Sequence, residues 1–211
     1  MLREGELYFD VAYPQRLSRL LIFVKWLLLL PHLLVLWVLQ IVVSIVSFIA
    51  FFAILITGRY PKELWDISLS ILRWHVRVSV YAALMRDEYP PFGDQSYPIR
   101  LEMVYPTRLS RWKIFVKWLL IIPHTVALWV LGILSGLATV IAWFAILITG
   151  KYPRTLFDFN VGVLRWSTRV SIYVLLMSDV YPPFMLESTY VLPMPPMPPV
   201  PPVAPVASYG V

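Results

Sequence analysis

No cysteine occurs in the chain, which excludes disulfides, thiol catalysis and cysteine-ligated metal centres. Charge is nearly as scarce. Only 14% of the 211 residues are Asp, Glu, Lys or Arg, against about 25% in an ordinary soluble domain. The sequence has no phosphate-binding glycine loop, dinucleotide fingerprint, serine-nucleophile elbow or metalloprotease helix motif. The motifs therefore give an enzymatic role no support, and the expectation is a non-enzyme without cofactor or bound metal. Apolar side chains are in excess instead, at 59% of residues with a mean hydropathy of +0.73.

The apolar residues gather in two runs, residues 20–57 and 112–149. From His32 to Thr57, and again from His124 to Thr149, 26 residues pass without a formal charge if histidine is neutral. A helix needs about 20 apolar residues to cross a bilayer. Two such runs in so short a chain would leave little polar surface to cover them, so the expectation is a multi-pass protein of the cell membrane. The residues before the first run include Arg3, Glu4, Glu6, Asp10, Arg16 and Arg19. With the length of the run, they mark it as a permanent anchor rather than a cleaved signal. The formal net charge is +6, from 13 Arg and 5 Lys against 12 acidic residues. Beside membrane segments, that excess points to anionic lipid headgroups rather than nucleic acid.

An offset of 92 residues aligns residues 13–92 with 105–184 without a gap, and 47 of the 80 pairs are identical. Tyr13-Pro14 and Arg16-Leu17-Ser18-Arg19 return as Tyr105-Pro106 and Arg108-Leu109-Ser110-Arg111. Pro31-His32 returns as Pro123-His124, and Tyr89-Pro90-Pro91-Phe92 returns at 181–184. Duplicated modules of this kind build several membrane transport folds, although duplication alone does not imply transport. The organisation expected is a first repeat over 1–92, a second over 93–186 and a proline-rich tail over 187–211. Eight of the fourteen residues 193–206 are proline, a composition suited to polyproline II or disorder.

The pattern YPxRLSR, the Pro-His pair, AILITG[RK]YP, the FDFNVGVLRWSTR stretch at 157–169 and the closing YPPF together resemble an uncharacterised bacterial membrane-protein family, the domain of unknown function DUF4389. The resemblance covers both repeats, nearly residues 7–186. The first copy departs from it at Trp65, Ile67, Ser68 and His75, where the second has Phe157, Phe159, Asn160 and Ser167. The resemblance implies a membrane protein and brings no activity.

The fold class expected is all-α. Each repeat would hold a hydrophobic helical hairpin or one long span, flanked by amphipathic interfacial helices, with a short strand segment at its start. Residues 7–11 and 99–103 alternate in polarity as strands do. They could pair with each other or serve as extended linkers. Basic residues flank both ends of each apolar run. A hairpin would put all of them on the cytoplasmic side, as the positive-inside rule prefers. The charges therefore favour a hairpin, although the first copy lacks a turn signal around Gln40–Ser44.

The candidate site residues are cations on otherwise apolar helices. Lys25, Arg73, Arg77, Lys113, Lys117, Arg165 and Arg169 are the expected lipid-headgroup ligands, since lysine beside tryptophan snorkels to phosphate and arginine matches phosphate geometry. Asp66 and Asp158 share the arginines' helical stripe and are their possible partners. His32 and His124 are repeat-related, so a pseudo-symmetry axis could bring them together as haem or metal ligands. The expectation for both is instead a polar residue at headgroup level. The function expected is a scaffold or accessory subunit holding anionic lipid and a protein partner or second copy. A small transporter is the alternative, for which Gln40, Ser44, Ser47, Ser135 and Thr139 supply little polar lining.

Overall fold

The structure is a computed structural model, and it describes residues 4–92 and 95–188. Its elements are β1 (Leu7–Val11), α1 (Leu21–Thr57), α2 (Lys62–Ala82), β2 (Ile99–Met103), α3 (Lys113–Leu120), α4 (Ile122–Thr149) and α5 (Arg154–Val174). The repeat is visible in the order. The two modules begin alike with a strand. The long α1 then corresponds to α3 and α4, which part only at Ile121. The proline-rich stretch 193–206, and Asp94 in the connection, lie outside the described residues.

The hairpin expected inside the first apolar run is not there. Leu21–Thr57 is one helix of 37 residues that continues through Pro31. With no glycine or cluster of turn residues near Gln40 to stop it, an apolar sequence rich in leucine keeps its backbone bonds inside the helix. In the second module the chain does break before its proline, which then sits in the first turn of α4, where its missing N–H costs nothing.

Glycine supplies the true reversal. Gly58 and Gly150 end the long helices in the left-handed region, at φ 71° and 70°, which a residue without Cβ enters freely. Each N–H still caps its own helix, on Ile54 and Ile146. Each carbonyl then accepts a bond from the other module, Leu109 N–H on Gly58 and Leu17 N–H on Gly150, both at 2.9 Å. Tyr13 Oη likewise donates to the Tyr152 carbonyl, and Tyr105 Oη to that of Tyr60. The segment before each long helix is thus hooked over the end of the other module's long helix.

The strands complete the exchange. β1 and β2 pair antiparallel with Phe9 opposite Leu101. These two residues are repeat equivalents, so a pseudo-two-fold axis passes through their pair. The long helices obey the same axis. Phe23 at the start of α1 meets Trp143 near the end of α4, and Phe51 near the end of α1 meets Phe115 in α3. They are antiparallel, each starting beside the other's end.

α1 packs on α2 and α4 on α5, while α2 and α5 meet each other. Arg73 in α2 and Arg165 in α5 each donate to a strand carbonyl, that of Leu101 and that of Phe9. The molecule is layered accordingly. The long apolar helices lie on one side, α2 and α5 in the middle and the two-stranded ribbon beyond them. One core cluster draws on both modules, including Ile54, Tyr60, Val80 and Met85 with Ile146, Tyr152, Ile172 and Met177.

Candidate functional site

Lys25 and Lys117 project from the buried stripe of the long helices, with 1% and 2% exposure. Lys25 Nζ lies 2.7 Å from Asp87 Oδ1 and donates to the Arg86 carbonyl at 2.7 Å. The Tyr81 ring centroid is 5.0 Å away. Asp87 also accepts the Ser18 N–H at 2.6 Å. The second module repeats the arrangement with Lys117, Asp179, the Ser178 carbonyl, Tyr173 and the Ser110 N–H. This is a clamp that ties the start of each long helix to the chain after α2 or α5. The expectation that Lys25 and Lys117 face lipid phosphate is corrected. A buried ammonium persists because a carboxylate, a carbonyl and a ring replace its water.

The histidines sit about two helical turns further along. His32 stacks on Phe92 with centroids 5.0 Å apart and meets Tyr89 and Trp74. His124 stacks on Phe184 at 3.9 Å, and its Nδ1 accepts the Trp166 indole N–H at 3.1 Å. The YPPF motif and one tryptophan therefore form an aromatic box around each fully buried ring. Every ring partner of His32 lies in the first module and every partner of His124 in the second, so the structure does not join the two across the axis.

The arginine pairs differ between modules. Arg165 donates to Phe9 O at 3.0 Å and to Leu186 O at 2.8 Å, with Asp10 at 3.8 Å. Arg169 donates to Met185 O and Glu187 O, at 3.2 and 2.8 Å. Burial lowers the Arg165 pKa from its ordinary value, against the opposing pull of Asp10. The two guanidiniums straddle the backbone of residues 185–187, and that backbone fits because Gly162 lies beneath it. A Cβ there would stand 2.8 Å from the Leu186 Cβ. In the first module Ser70 holds the Gly162 position, and Arg73 and Arg77 line a cleft of about 340 Å³ with Ser70, Trp74 and Phe92. Arg165 and Arg169 are thus engaged with the protein's own carbonyls.

Asp66 and Asp158 do not pair with these arginines. Each bonds a cation one turn back, Lys62 and Arg154, on an exposed helix face. Lys113 is exposed at the start of α3. Sequence reasoning missed Asp87 and Asp179, the partners of the buried lysines. The signal available was that both are identical between repeats, in register with Lys25 and Lys117.

The cations left on the surface gather at the hooks. Arg16 and Arg19 are exposed beside Gly150 and Lys151, and Arg108 and Arg111 are exposed beside Gly58 and Arg59. Large apolar side chains cover the outer faces of the long helices between these clusters, among them Leu34, Trp37, Phe48, Val126, Trp129 and Ile148. Both Leu21–Thr57 and Lys113–Thr149 are long and apolar enough to cross a membrane.

One family model, described as a domain of unknown function (DUF4389), matches residues 19–93 and again residues 111–185. No curated protein and no solved structure matches.

Proposed function

We propose, from the premise that the chain belongs to the DUF4389 family of unknown function, that it is a non-catalytic membrane scaffold holding anionic lipid and a partner. The observation that carries this reading is the division of its surface. Exposure reaches 70% at Trp37, 66% at Phe48 and 71% at both Ile56 and Ile148. Side chains of that size exposed along the whole length of two helices belong in hydrocarbon. Among the described residues the exposed arginines stand at the ends of this apolar layer, where each gains about 1 kcal/mol from an anionic surface. The cleft at Arg73 and Arg77 is a further candidate headgroup site. The apolar layer also suits lateral contact with a membrane partner or a second copy.

The internal polar groups favour a scaffold over a transporter. Ser135 and Thr139 bond Asn160, which also bonds Tyr152, and Ser44 bonds the Gln40 carbonyl of its own helix. The Asn160 bonds tie α4 to α5 and to Tyr152, and the Ser44 bond is spent within α1.

The test is to change Arg16, Arg19, Arg108 and Arg111 together to Glu and measure partition into phosphatidylglycerol and phosphatidylcholine vesicles. Four lost contacts at about 1 kcal/mol each predict a loss of roughly 1,000-fold in preference for the anionic vesicles, with the salt dependence reduced as well. Equal partition of the unaltered protein into both vesicle types would sink the lipid reading. Recovery of that protein from the aqueous fraction without detergent would sink the membrane reading.

A further inference from the structure

Resting on that membrane reading, we infer that the protein is embedded in one leaflet, with its pseudo-two-fold axis along the membrane normal and its two long helices in the membrane plane. The partner for the apolar layer is then a single anionic leaflet, and both basic clusters contact the same headgroup layer.

Length is the first reason. A helix of 37 residues measures about 55 Å, against a hydrocarbon core of about 30 Å. A crossing would need a steep tilt or would leave about 25 Å of the helix outside the core.

Sidedness is the second reason. The molecule is asymmetric across its layers and not along its helices. The apolar faces of α1, α3 and α4 lie to one side, while α2, α5 and the ribbon lie to the other. The axis through Phe9 and Leu101 is perpendicular to the antiparallel long helices. It therefore carries one end of the molecule onto the other while keeping the apolar layer on the same side. An orientation with that axis along the membrane normal places the whole layer in hydrocarbon and the ribbon toward water.

Charge is the third reason. The axis makes the cluster of Arg16, Arg19 and Lys151 equivalent to that of Arg108, Arg111 and Arg59. Long helices that crossed would set these clusters on opposite membrane faces, against the preference of basic residues for one side. Helices lying in the plane put both on one face. The flanking charges that seemed to call for a hairpin are thus satisfied without a turn, and this arrangement replaces the multi-pass topology.

The tryptophans fit the same orientation. Trp26 and Trp37 are exposed by 64% and 70%, and their counterparts Trp118 and Trp129 by 67% and 69%. A spacing of eleven residues is close to three helical turns, so Trp26 and Trp37 share a face. A helix in the plane holds both at one depth, whereas a crossing helix separates them by about 16 Å along its axis.

The natural absence of cysteine permits a direct test with the full chain. Gln15→Cys and Glu63→Cys replace exposed residues at opposite ends of α1. Each is challenged with a membrane-impermeant maleimide in sealed right-side-out and in inverted membrane vesicles. Both sites should label in the same vesicle preparation, at least tenfold over the other. Labelling from opposite sides, or of either site only after detergent, overturns the inference. Spin labels at Trp26→Cys and Trp37→Cys should report equal depth, and a difference above about 10 Å along the normal overturns it equally. Retention in the membrane pellet after carbonate is scored separately. Its failure removes the membrane reading itself, whereas retention with opposite-side labelling removes only the orientation.

Discussion

A lysine ammonium at 1% exposure persists only where each of its protons meets an acceptor. Lys25 meets this condition through Asp87, the Arg86 carbonyl and the Tyr81 ring. Removing one partner of such a pair costs about 3–5 kcal/mol, because the other is left buried and uncompensated. Asp87→Ala should therefore lower stability by that amount in detergent, followed by circular dichroism on heating, and Lys25→Met added to it should recover most of the loss. Tyr81 offers a second check. Burial first, then the charges of Asp87 and Tyr89, push its hydroxyl pKa from 10.0 up to about 12. The unfolded tyrosine ionises first as pH rises, so this contribution to stability is full below pH 10 and is lost between pH 10 and about 12. Tyr81→Phe should flatten the decline in melting temperature over that window. At this scale the sequence shows residue types but not their partners. Lys25 stands among tryptophan and phenylalanine and reads as an interfacial cation, while the carboxylate that buries it follows an intervening helix pair.

The elements are held in place by a few positions with unusual backbone demands. At Gly58 a Cβ would meet nothing nearer than 3.5 Å, so a substitution is opposed by conformation rather than by space. Gly58→Ala should cost about 1–2 kcal/mol from the left-handed backbone, and Gly150→Ala the same, each read from thermal unfolding. Gly162 is the reverse case, a helical glycine needed for space. Gly162→Ser, the residue its counterpart Ser70 already carries, should displace residues 185–187 from between Arg165 and Arg169. Limited proteolysis should then cut near Met185 in the variant and spare the unaltered protein. Much of this level was legible. The strand segments 7–11 and 99–103 follow from alternation. The uninterrupted α1 was less so, because positive charge at both of its ends suggested a chain that returned. Basic residues on one membrane side constrain orientation as much as connectivity, and a helix lying in the plane satisfies them without a turn.

For the whole molecule, the repeat was plain from the sequence, but the exchange of segments between modules was not. Sequence identity says that two units are alike and leaves open which strand rests on which helix. Here β1 belongs to the first module by sequence and packs against α5 of the second, and Trp65 Nε1 of the first donates to Met177 O of the second. Residues 1–92 and 95–211 expressed as separate chains should therefore associate and co-purify in detergent. Recovery of either half as a stable monomer would contradict this. The paired hooks at Gly58 and Gly150 also bear on how the molecule comes apart. They act as a chelate: while one holds, the other end stays within reach, at an effective concentration in the millimolar range for a short connection. Either hook can then be weak alone and open often. Separation requires both to be open at once, so the lifetime of the closed form far exceeds that of any single bond within it.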